Sequence, residues 1–389
     1  MTSKLIKIFA VILCGCLAVG FSGCDGGNDE ESSTSSSGEE DAVKTVKIGY
    51  IYLGSANDKG FTGQINDQRL NAAKYCSHVE TYYIENVSVS DFESAVKALS
   101  SAGCEVIVSC SPIYTNILSM IAAKYMNIDF INYNSVASGT SNVSSYAEAY
   151  YQGAYIGGTI AAFNSEKEKI GIVVDSDMPG IYSTIDAAAL GMRTVFADAE
   201  MYVVNANTDK EIEEAINALY DNGCDVIICY TESSYSAEYC EKKGIKFVGC
   251  HDYSISEDEF KNMIMYFYSK RDSYFLAKFK QLQYDEWENS PYIGTMANGR
   301  INVSEALKAA KTDSQRLIDH IAPLVSSGQL YIFEGELKDN SGIIKYMQNE
   351  ALTINQIFTL DWYVQGVKVL GNFRKPQEIT DKNNFVVKS

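Results

Sequence analysis

One stretch decides the fold: it reads Phe92-Glu-Ser-Ala-Val-Lys-Ala-Leu-Ser-Ser-Ala-Gly-Cys-Glu-Val-Ile-Val108 and returns as Ile212-Glu-Glu-Ala-Ile-Asn-Ala-Leu-Tyr-Asp-Asn-Gly-Cys-Asp-Val-Ile-Ile228. The strand-like blocks before and after it are duplicated in the same order, as Lys47–Ile51 with Lys169–Val173 and as Asn127–Ile131 with Gly244–Val248. Self-similarity over so long a period indicates an architecture present twice, not a solenoid of short repeats. The sequence therefore predicts two similar lobes.

Each copy alternates short apolar runs with amphipathic stretches. In the first copy the apolar runs lie near 46–53, 79–84, 104–109 and 128–132, and such runs form strands buried on both faces of a parallel sheet. Alternating strands and helices predict doubly wound α/β units. In such units ligands bind beyond the carboxyl ends of the strands, so we expect a ligand cleft where the two lobes face each other.

The remaining third of the chain is predicted to complete both lobes. Its pattern indicates strands at Met263–Tyr268, Pro291–Met296 and Gln329–Glu334, and helices at Gln315–Val325 and Asn355–Leu370.

Charge and composition exclude several classes of protein. The chain of 389 residues has 50 acidic and 32 basic side chains, for a formal charge of −18. Nucleic-acid binding requires a basic surface, so no nucleic-acid partner is expected. Only three histidines occur, which is a poor source of zinc sites or histidine-based catalysis.

The amino terminus has the features of an export signal. Lys4 and Lys7 precede an uncharged run from Ile8 to Phe21, which is too short to span a bilayer comfortably but suits a signal-peptide core. Ser22 and Gly23 before Cys24 resemble a bacterial lipobox, which implies a lipidated Cys24 as the first residue of the mature chain. The alternatives are an ordinary secretory signal, a lipid anchor at Cys16 and a transmembrane anchor.

An acidic, serine-rich segment follows Cys24 and contains almost no apolar residues up to Asp41. Such a segment cannot bury a core and is predicted to be a disordered tether. The expected organisation is a signal peptide at 1–23, a tether at 24–44 and a two-lobe ligand-binding domain at 45–389. Within that domain, lobe 1 is mainly 45–150, lobe 2 is mainly 160–260, and 261–389 completes both lobes and the hinge.

Ten cysteines occur in the chain, but three of them belong to the signal and the lipidation site. The others border strand-like apolar runs, where cysteine usually behaves as a small buried hydrophobe. Structural thiols are therefore expected, with one or more disulfides and a metal or redox site as alternatives. The remaining cysteines are Cys76, Cys104, Cys110, Cys224, Cys229, Cys240 and Cys250.

The common catalytic and nucleotide-binding motifs are absent from the sequence. It lacks a P-loop, a Rossmann glycine fingerprint, a Gly-x-Ser-x-Gly elbow and a His-Glu-x-x-His motif. Asp175-Ser-Asp177 could pass for a pair of carboxylates, but it is interpreted as an ordinary polar loop that follows a strand. The loops at Ser55–Gln64, Tyr230–Tyr235 and Gly249–Tyr253 combine aromatic rings with hydrogen-bonding groups, which suits a small planar, hydroxylated ligand. No cofactor, no metal and no enzymatic activity are expected.

Five segments resemble the basic membrane protein family, whose members are lipid-anchored substrate-binding proteins of ABC importers. They are Lys47–Ile51 with Asn57–Gln64, then Tyr151–Ala162, Gly328–Gly342 and Leu360–Val367. The resemblance implies a type I periplasmic-binding-protein fold, with two lobes joined by three crossovers, and a purine nucleoside or nucleobase as the ligand. It also implies an ABC permease partner and a lipid-anchored location on the extracytoplasmic face of the cell membrane; a monomer is expected.

The resemblance also implies a set of ligand-binding residues. Phe61 matches the family's stacking aromatic, with Gly60 and Thr62 where the family has Ser and Asn. Tyr235 lies near the second stacking ring, Asp252 near the acid that holds ribose hydroxyls, and the basic contact is expected at Lys270 or Arg271. The candidate ligand-binding residues are Asn57, Asp58, Phe61, Asn134, Tyr235, Asp252 and Lys270.

Other functions remain open at this point. The same fold could bind a sugar or a signalling furanose, or could act as a sensory co-receptor for a histidine kinase. A membrane-tethered enzyme that processes nucleosides is the alternative from a different class.

Overall fold

The computed structural model describes residues 45–133, 140–175, 180–250, 259–284, 286–372 and 387–388. The predicted signal peptide, the lipidation site at Cys24 and the whole predicted tether lie outside the described residues, as do Asn134 and Asp252.

The first lobe is built on a six-stranded parallel sheet with the order β11-β5-β4-β3-β1-β2. Its strands are β1 Val46–Ile51, β2 Val79–Ile84, β3 Val106–Ser109, β4 Asp129–Tyr133, β5 Val143–Glu148 and β11 Tyr292–Gly294. The helices between the first four strands are α1 Phe61–Ala73, α2 Phe92–Ser101 and α3 Thr115–Ala122. The strands predicted in this copy are therefore confirmed, with ends shifted by one or two residues.

The second lobe is built on a seven-stranded sheet with the order β12-β10-β9-β8-β6-β7-β15, in which only β12 runs antiparallel to its neighbour. Its strands are β6 Lys169–Val174, β7 Glu200–Asn205, β8 Val226–Tyr230, β9 Lys246–Cys250, β10 Met263–Ser269, β12 Ile301–Val303 and β15 Val367–Asn372. Its helices include α4 Tyr150–Asn164, α5 Ile181–Arg193, α6 Asp209–Asp221 and α7 Tyr235–Lys243.

The duplicated sequence produces duplicated topology. β1 lies between β2 and β3, and β6 lies between β7 and β8 in the same way. Each repeat helix packs its apolar stripe on its sheet: Leu99 of α2 and Leu219 of α6 are both fully buried, and each fills the space beside a glycine of the neighbouring central strand, Gly49 or Gly171. In both sheets the strand order reverses beside the central strand, which marks the expected ligand position at the strands' carboxyl ends.

Three crossovers join the lobes, as predicted. The chain leaves the first sheet after β5, returns to it after β10 through α8 Asp272–Gln283, and leaves it again between β11 and β12. α8 packs against α1 of the first lobe, and α4 packs against β10 of the second. The carboxyl ends of β5 and β10, with the crossovers that follow them, therefore meet between the lobes.

Close helix packing explains the motif Tyr151–Ala162. A Cβ atom on Gly158 of α4 would lie 2.0 Å from the carbonyl oxygen of Ala188, and one on Gly191 of α5 would lie 2.0 Å from that of Tyr155. Since no side chain fits at these contacts, the glycines let the two helix backbones touch. This family-like motif therefore acts in the packing of the second lobe.

Two predicted elements near the carboxyl terminus are wrong. The helix predicted at Asn355–Leu370 is limited to α10 Ile354–Phe358, and the chain continues into β15 at the edge of the second sheet. Gly366 turns the chain with a φ of 96°, and Val364 N–H donates to the buried Asp186 Oδ1 at 3.0 Å, so sheet pairing overrides the amphipathic pattern. The strand predicted at Gln329–Glu334 is a turn with one isolated bridge, from Glu334 to Ala351.

The last third also contains elements that agree with prediction or were not expected. α9 Ser314–Ser326 covers the predicted helix, and β13 Leu337–Lys338 with β14 Ile344–Tyr346 forms a small antiparallel hairpin that was not predicted. In the part of the chain that the structure describes, no helix is long and apolar enough to cross a membrane.

Candidate functional site: the cleft between the lobes

The two lobes touch at the loops that follow β1, β3 and β8. The amide of Phe61, in the first lobe, donates to the carbonyl oxygen of Glu232 at 2.7 Å. The hydroxyl of Ser111 donates to Glu232 Oε1 at 3.0 Å. A Cβ atom on Gly60 would lie 2.0 Å from the Glu232 carbonyl oxygen, so the backbones approach as closely as a glycine permits. This is a closed arrangement of the cleft.

Asp58 holds the first turn of α1 against the other lobe. Its Oδ1 accepts from the amides of Gly60 at 2.9 Å and Gly63 at 2.8 Å. Burial raises the pKa of this carboxyl, and the two backbone hydrogen bonds oppose the rise. Asp58 thereby orients the loop that carries Phe61.

Phe61 is in the centre of the contact between the lobes and is 3% exposed. Its ring centroid lies 5.1 Å from that of Tyr133, at the end of β4. The guanidinium carbon of Arg271 lies 4.7 Å from the same centroid, within the range of cation–π attraction.

A buried ion pair lies beside Phe61. Arg271 and Glu148 both have fully buried side chains, and Arg271 Nη2 lies 2.6 Å from Glu148 Oε2, with Nε at 3.0 Å from the same oxygen. The hydroxyl of Tyr146 donates to Glu148 Oε1 at 2.9 Å, and those of Tyr133 and Ser269 also donate to this carboxylate. Several hydrogen bonds thus compensate the carboxylate and two of the three guanidinium nitrogens, and a buried pair depends on such bonds.

The second lobe contributes two tyrosines to this centre. Tyr150 is the first residue of α4 and accepts from Arg271 Nη2, and Tyr230 ends β8, with its ring centroid 5.9 Å from that of Tyr150. Burial raises the pKa of both hydroxyls well above the usual range, so both stay neutral. Aromatic rings from both lobes therefore surround the guanidinium group.

Acidic side chains converge on the opposite side of the contact. Burial, together with the neighbouring carboxylates of Asp175 and Asp58, raises the pKa of Glu232 to about 8, although the hydrogen bond from Ser111 opposes the rise. Asp175 also accepts a hydrogen bond from the Glu232 amide. Such a site favours a ligand that offers hydrogen-bond donors over one that brings further negative charge.

The predicted site residues fall into three groups: those at the contact between the lobes, those outside the described residues, and those that lie elsewhere. Asp58 and Phe61 lie at the contact described above, whereas Asn134 and Asp252 are outside the described residues. Asn57 is exposed, and its backbone N–H donates to Ser55 Oγ at 3.3 Å. These predictions of ligand contact remain predictions.

Tyr235 and Lys270 are directed elsewhere in this arrangement. The hydroxyl of Tyr235 donates to Glu213 of α6, a bond that raises the pKa of Tyr235 to about 12. Lys270 is exposed, with Nζ 5.8 Å from the ring centroid of Tyr268. The buried cation is its neighbour Arg271, the alternative position in the sequence for the basic contact, and the second-lobe rings at the centre are Tyr150 and Tyr230.

Glu148, Tyr150 and Glu232 were missed as site residues, although the sequence carries a signal for them. Glu148 and Glu232 are charged residues at or just beyond the ends of buried strands, where the rule for doubly wound sheets places ligands. What the sequence does not carry is the approach of Glu148 to Arg271, because the two residues are far apart in the chain and meet only through the crossovers.

Another cavity, of about 380 Å³, lies between the start of α4 and the end of α9, with Tyr151, Val325 and Ile357 in its wall. Charged and aromatic side chains converge in the cleft and not there, so we place the candidate site in the cleft. No group of three or more His, Cys, Asp or Glu residues suited to a metal ion occurs in the described ranges.

Two α/β lobes of the same topology, joined by three crossovers and meeting at the carboxyl ends of their strands, define a type I periplasmic-binding protein. The chain belongs to the PnrA-like family of ABC transporter substrate-binding proteins, whose sequence profile matches residues 45–252. Proteins of this family bind solutes outside the cytoplasm for a membrane permease and are not enzymes.

Two relatives cover most of the chain. A purine-binding protein of Brucella abortus is 25% identical over 338 residues, which are 85% of this chain and 95% of that protein. A protein of Haloferax volcanii, named for glucose binding in an ABC transporter, is 26% identical over 317 residues, which are 78% of this chain and 79% of that protein.

Solved structures support the same fold. An ABC transporter solute-binding protein from Aeropyrum pernix gives a TM-score of 0.62 at 15% identity, over 76% of this chain and 93% of that one. A solute-binding protein from Conexibacter woesei gives a TM-score of 0.58 at 14% identity, over 74% of this chain and 98% of that one. The resemblance to the basic membrane protein family and the predicted fold class are therefore confirmed.

Proposed function

We propose that this protein captures a purine nucleoside or nucleobase in the cleft between its lobes and delivers it to an ABC importer. The observation that carries the proposal is the cluster of buried aromatic rings from both lobes, Phe61 and Tyr133 with Tyr150, around a buried guanidinium group. Flat rings and fixed donors suit a planar heterocycle. The purine-binding relative, matched over almost its whole length, supports the same class of ligand.

A sugar is the second candidate. The relative named for glucose binding favours it, and so do the carboxylates of Asp58, Asp175 and Glu232, since carboxylate oxygens accept hydrogen bonds from hydroxyl groups. A nucleoside would use both parts of the site, because its base is planar and its ribose carries hydroxyls.

Extraction of bound small molecules is the first test. Freshly purified protein is denatured and the released compounds are identified by mass spectrometry. Thermal unfolding is then measured with nucleosides, nucleobases and sugars, because only a ligand of the native state raises the melting temperature with concentration. A shift with purines and none with sugars supports the proposal, and the reverse contradicts it. Release of free base from nucleosides would indicate an enzyme.

We propose further that the protein is attached to the extracytoplasmic face of the membrane through lipid on Cys24. The support is the lipobox-like Ser22-Gly23-Cys24 and the acidic tether that follows. Cys24→Ala is expected to release the protein from membranes or to leave it unprocessed. Membrane association without acylation at Cys24 would contradict this anchor.

A further inference from the structure

We propose that Gln64 and Arg271 together read one edge of the bound purine and select 6-oxopurines, such as hypoxanthine and guanine, over 6-aminopurines such as adenine. This inference rests on the proposed function. It assigns the discrimination to two residues, of which Gln64 was not among the candidate ligand-binding residues.

Gln64 lies on the face of α1 that packs against Arg271. One turn before it, the ring of Phe61 contacts the guanidinium group at 4.7 Å. One turn after it, Gln68 Oε1 accepts from the Arg271 amide at 2.7 Å and Gln68 Nε2 donates to the Ser269 carbonyl at 3.1 Å. Residues three and four apart share a helix face, so Gln64 stands between two residues that both touch the Arg271 segment.

The side-chain amide of Gln64 is buried without a hydrogen-bond partner. The residue is 8% exposed, and neither Oε1 nor Nε2 has a partner among the described residues. Arg271 Nη1 is in the same situation, although Nε and Nη2 of the same side chain are bonded to Glu148 and Tyr150. Buried polar groups are normally bonded, so two such groups around one helix face indicate that something else supplies their partners.

The Gln64 amide and the Arg271 guanidinium differ in the hydrogen bonds that they can form. An amide offers a donor and an acceptor side by side and serves either purine edge after a flip. A guanidinium group only donates. A 6-oxopurine presents a carbonyl acceptor beside an N–H donor, which suits an arginine donor and a glutamine oxygen together. A 6-aminopurine presents an amino donor in place of the carbonyl, and the arginine opposite it can only donate. The arginine therefore determines that oxo compounds are preferred over amino compounds.

The test measures ligand affinity and ligand-free stability on the same variants. Calorimetric titrations with hypoxanthine, inosine, adenine and adenosine are run on the wild type, Gln64→Leu and Gln68→Leu. We expect the wild type to prefer the oxo compounds by about 5- to 150-fold, the range of one good bidentate base contact. Gln64→Leu should lose a similar factor toward hypoxanthine, while its ligand-free melting temperature stays equal or rises, because it removes an unsatisfied buried amide.

Gln68→Leu is the matched control on the same helix. Its amide is fully bonded to the backbone of the Arg271 segment, so its loss should lower the ligand-free melting temperature. Arg271→Lys retains a charge for Glu148 but removes the planar fork. It should reduce the preference for oxo over amino compounds to within about threefold, below the 5- to 150-fold range of a bidentate contact.

The outcomes separate this inference from the proposed function. If purines bind the wild type but Gln64→Leu binds hypoxanthine unchanged, or if adenine binds as tightly as hypoxanthine, the inference is wrong and the purine function stands. If no purine binds the wild type, the proposed function fails and the inference falls with it. A lower melting temperature in Gln64→Leu with unchanged affinity would assign Gln64 a structural role.

Discussion

Glu148 and Arg271 form an ion pair that joins two of the three crossovers. Glu148 ends β5, where the chain first leaves the first lobe, and Arg271 follows β10, where it returns. Both side chains are fully buried, and Nη2 and Oε2 are 2.6 Å apart. The pair therefore fixes the crossovers relative to each other at the base of the ligand cleft.

Breaking this pair from one side should be costly. Glu148→Gln leaves a buried guanidinium without its counter-charge, and removal of one partner of a buried pair typically costs about 3–5 kcal/mol. The double variant Glu148→Gln, Arg271→Met removes both charges and should recover much of that loss. Chemical denaturation of the wild type, both single variants and the double variant gives the coupling energy. Additive losses in the double variant would show that the two charges do not stabilise each other.

Phe61→Ala should reduce both ligand affinity and ligand-free stability. Stacking on an aromatic face contributes about 1–3 kcal/mol per base, so a loss of affinity of about 5- to 150-fold is expected. Because the ring is 3% exposed and packs against Tyr133 and Arg271, the melting temperature without ligand should also fall by several degrees. Titration and thermal unfolding are measured on one preparation. A destabilised variant with wild-type affinity would remove Phe61 from the ligand site.

Stability should depend on pH through Glu232. Burial between the lobes raises the pKa of this carboxyl from 4.5 to about 8, so the folded protein binds the proton more tightly than the unfolded chain does. The protonated Glu232 carboxyl therefore contributes fully to the stability of the folded protein below the pKa of the unfolded chain. This contribution is lost as the pH rises through about 8. Melting temperatures across this range should fall with pH more steeply in the wild type than in Glu232→Gln. Equal slopes would mean that Glu232 titrates normally in the folded protein.

The seven cysteines of the ligand-binding domain should be unreactive thiols in the native protein. None of the seven in the described part of the chain forms a disulfide and all are buried, and burial raises the pKa of the Cys104 and Cys224 thiols to about 12. The thiolate is the reactive form, so a thiol reagent should label the folded domain very slowly and label seven sites after denaturation. Cys229 and Cys240 have their sulfurs 3.8 Å apart. A count of five after denaturation would reveal a disulfide between them.

The duplicated blocks predicted the lobes, their strands and the position of the cleft because buried strands and repeat helices carry strong local patterns. The segment from Asn355 to Leu370 has an equally clear helical pattern, yet its last residues pair with β7 and form an edge strand of the second sheet, an interaction that local sequence does not encode. Phe61 and Asp58, which the family resemblance placed in the site, lie at the contact between the lobes, and their contact with a ligand remains a prediction. The Arg271 and Glu148 pair was missed because its partners belong to different crossovers.

The absence of a side chain at Gly60 allows the two lobes to come into contact. The family pattern has a serine at this position, but here any side chain would collide with the carbonyl oxygen of Glu232, which lies 2.0 Å from the place of a Cβ atom. A residue larger than glycine would act as a wedge between the lobes and shift the population toward the open form. Since apparent affinity scales with the fraction of binding-competent molecules, this position would tune ligand affinity without touching the ligand.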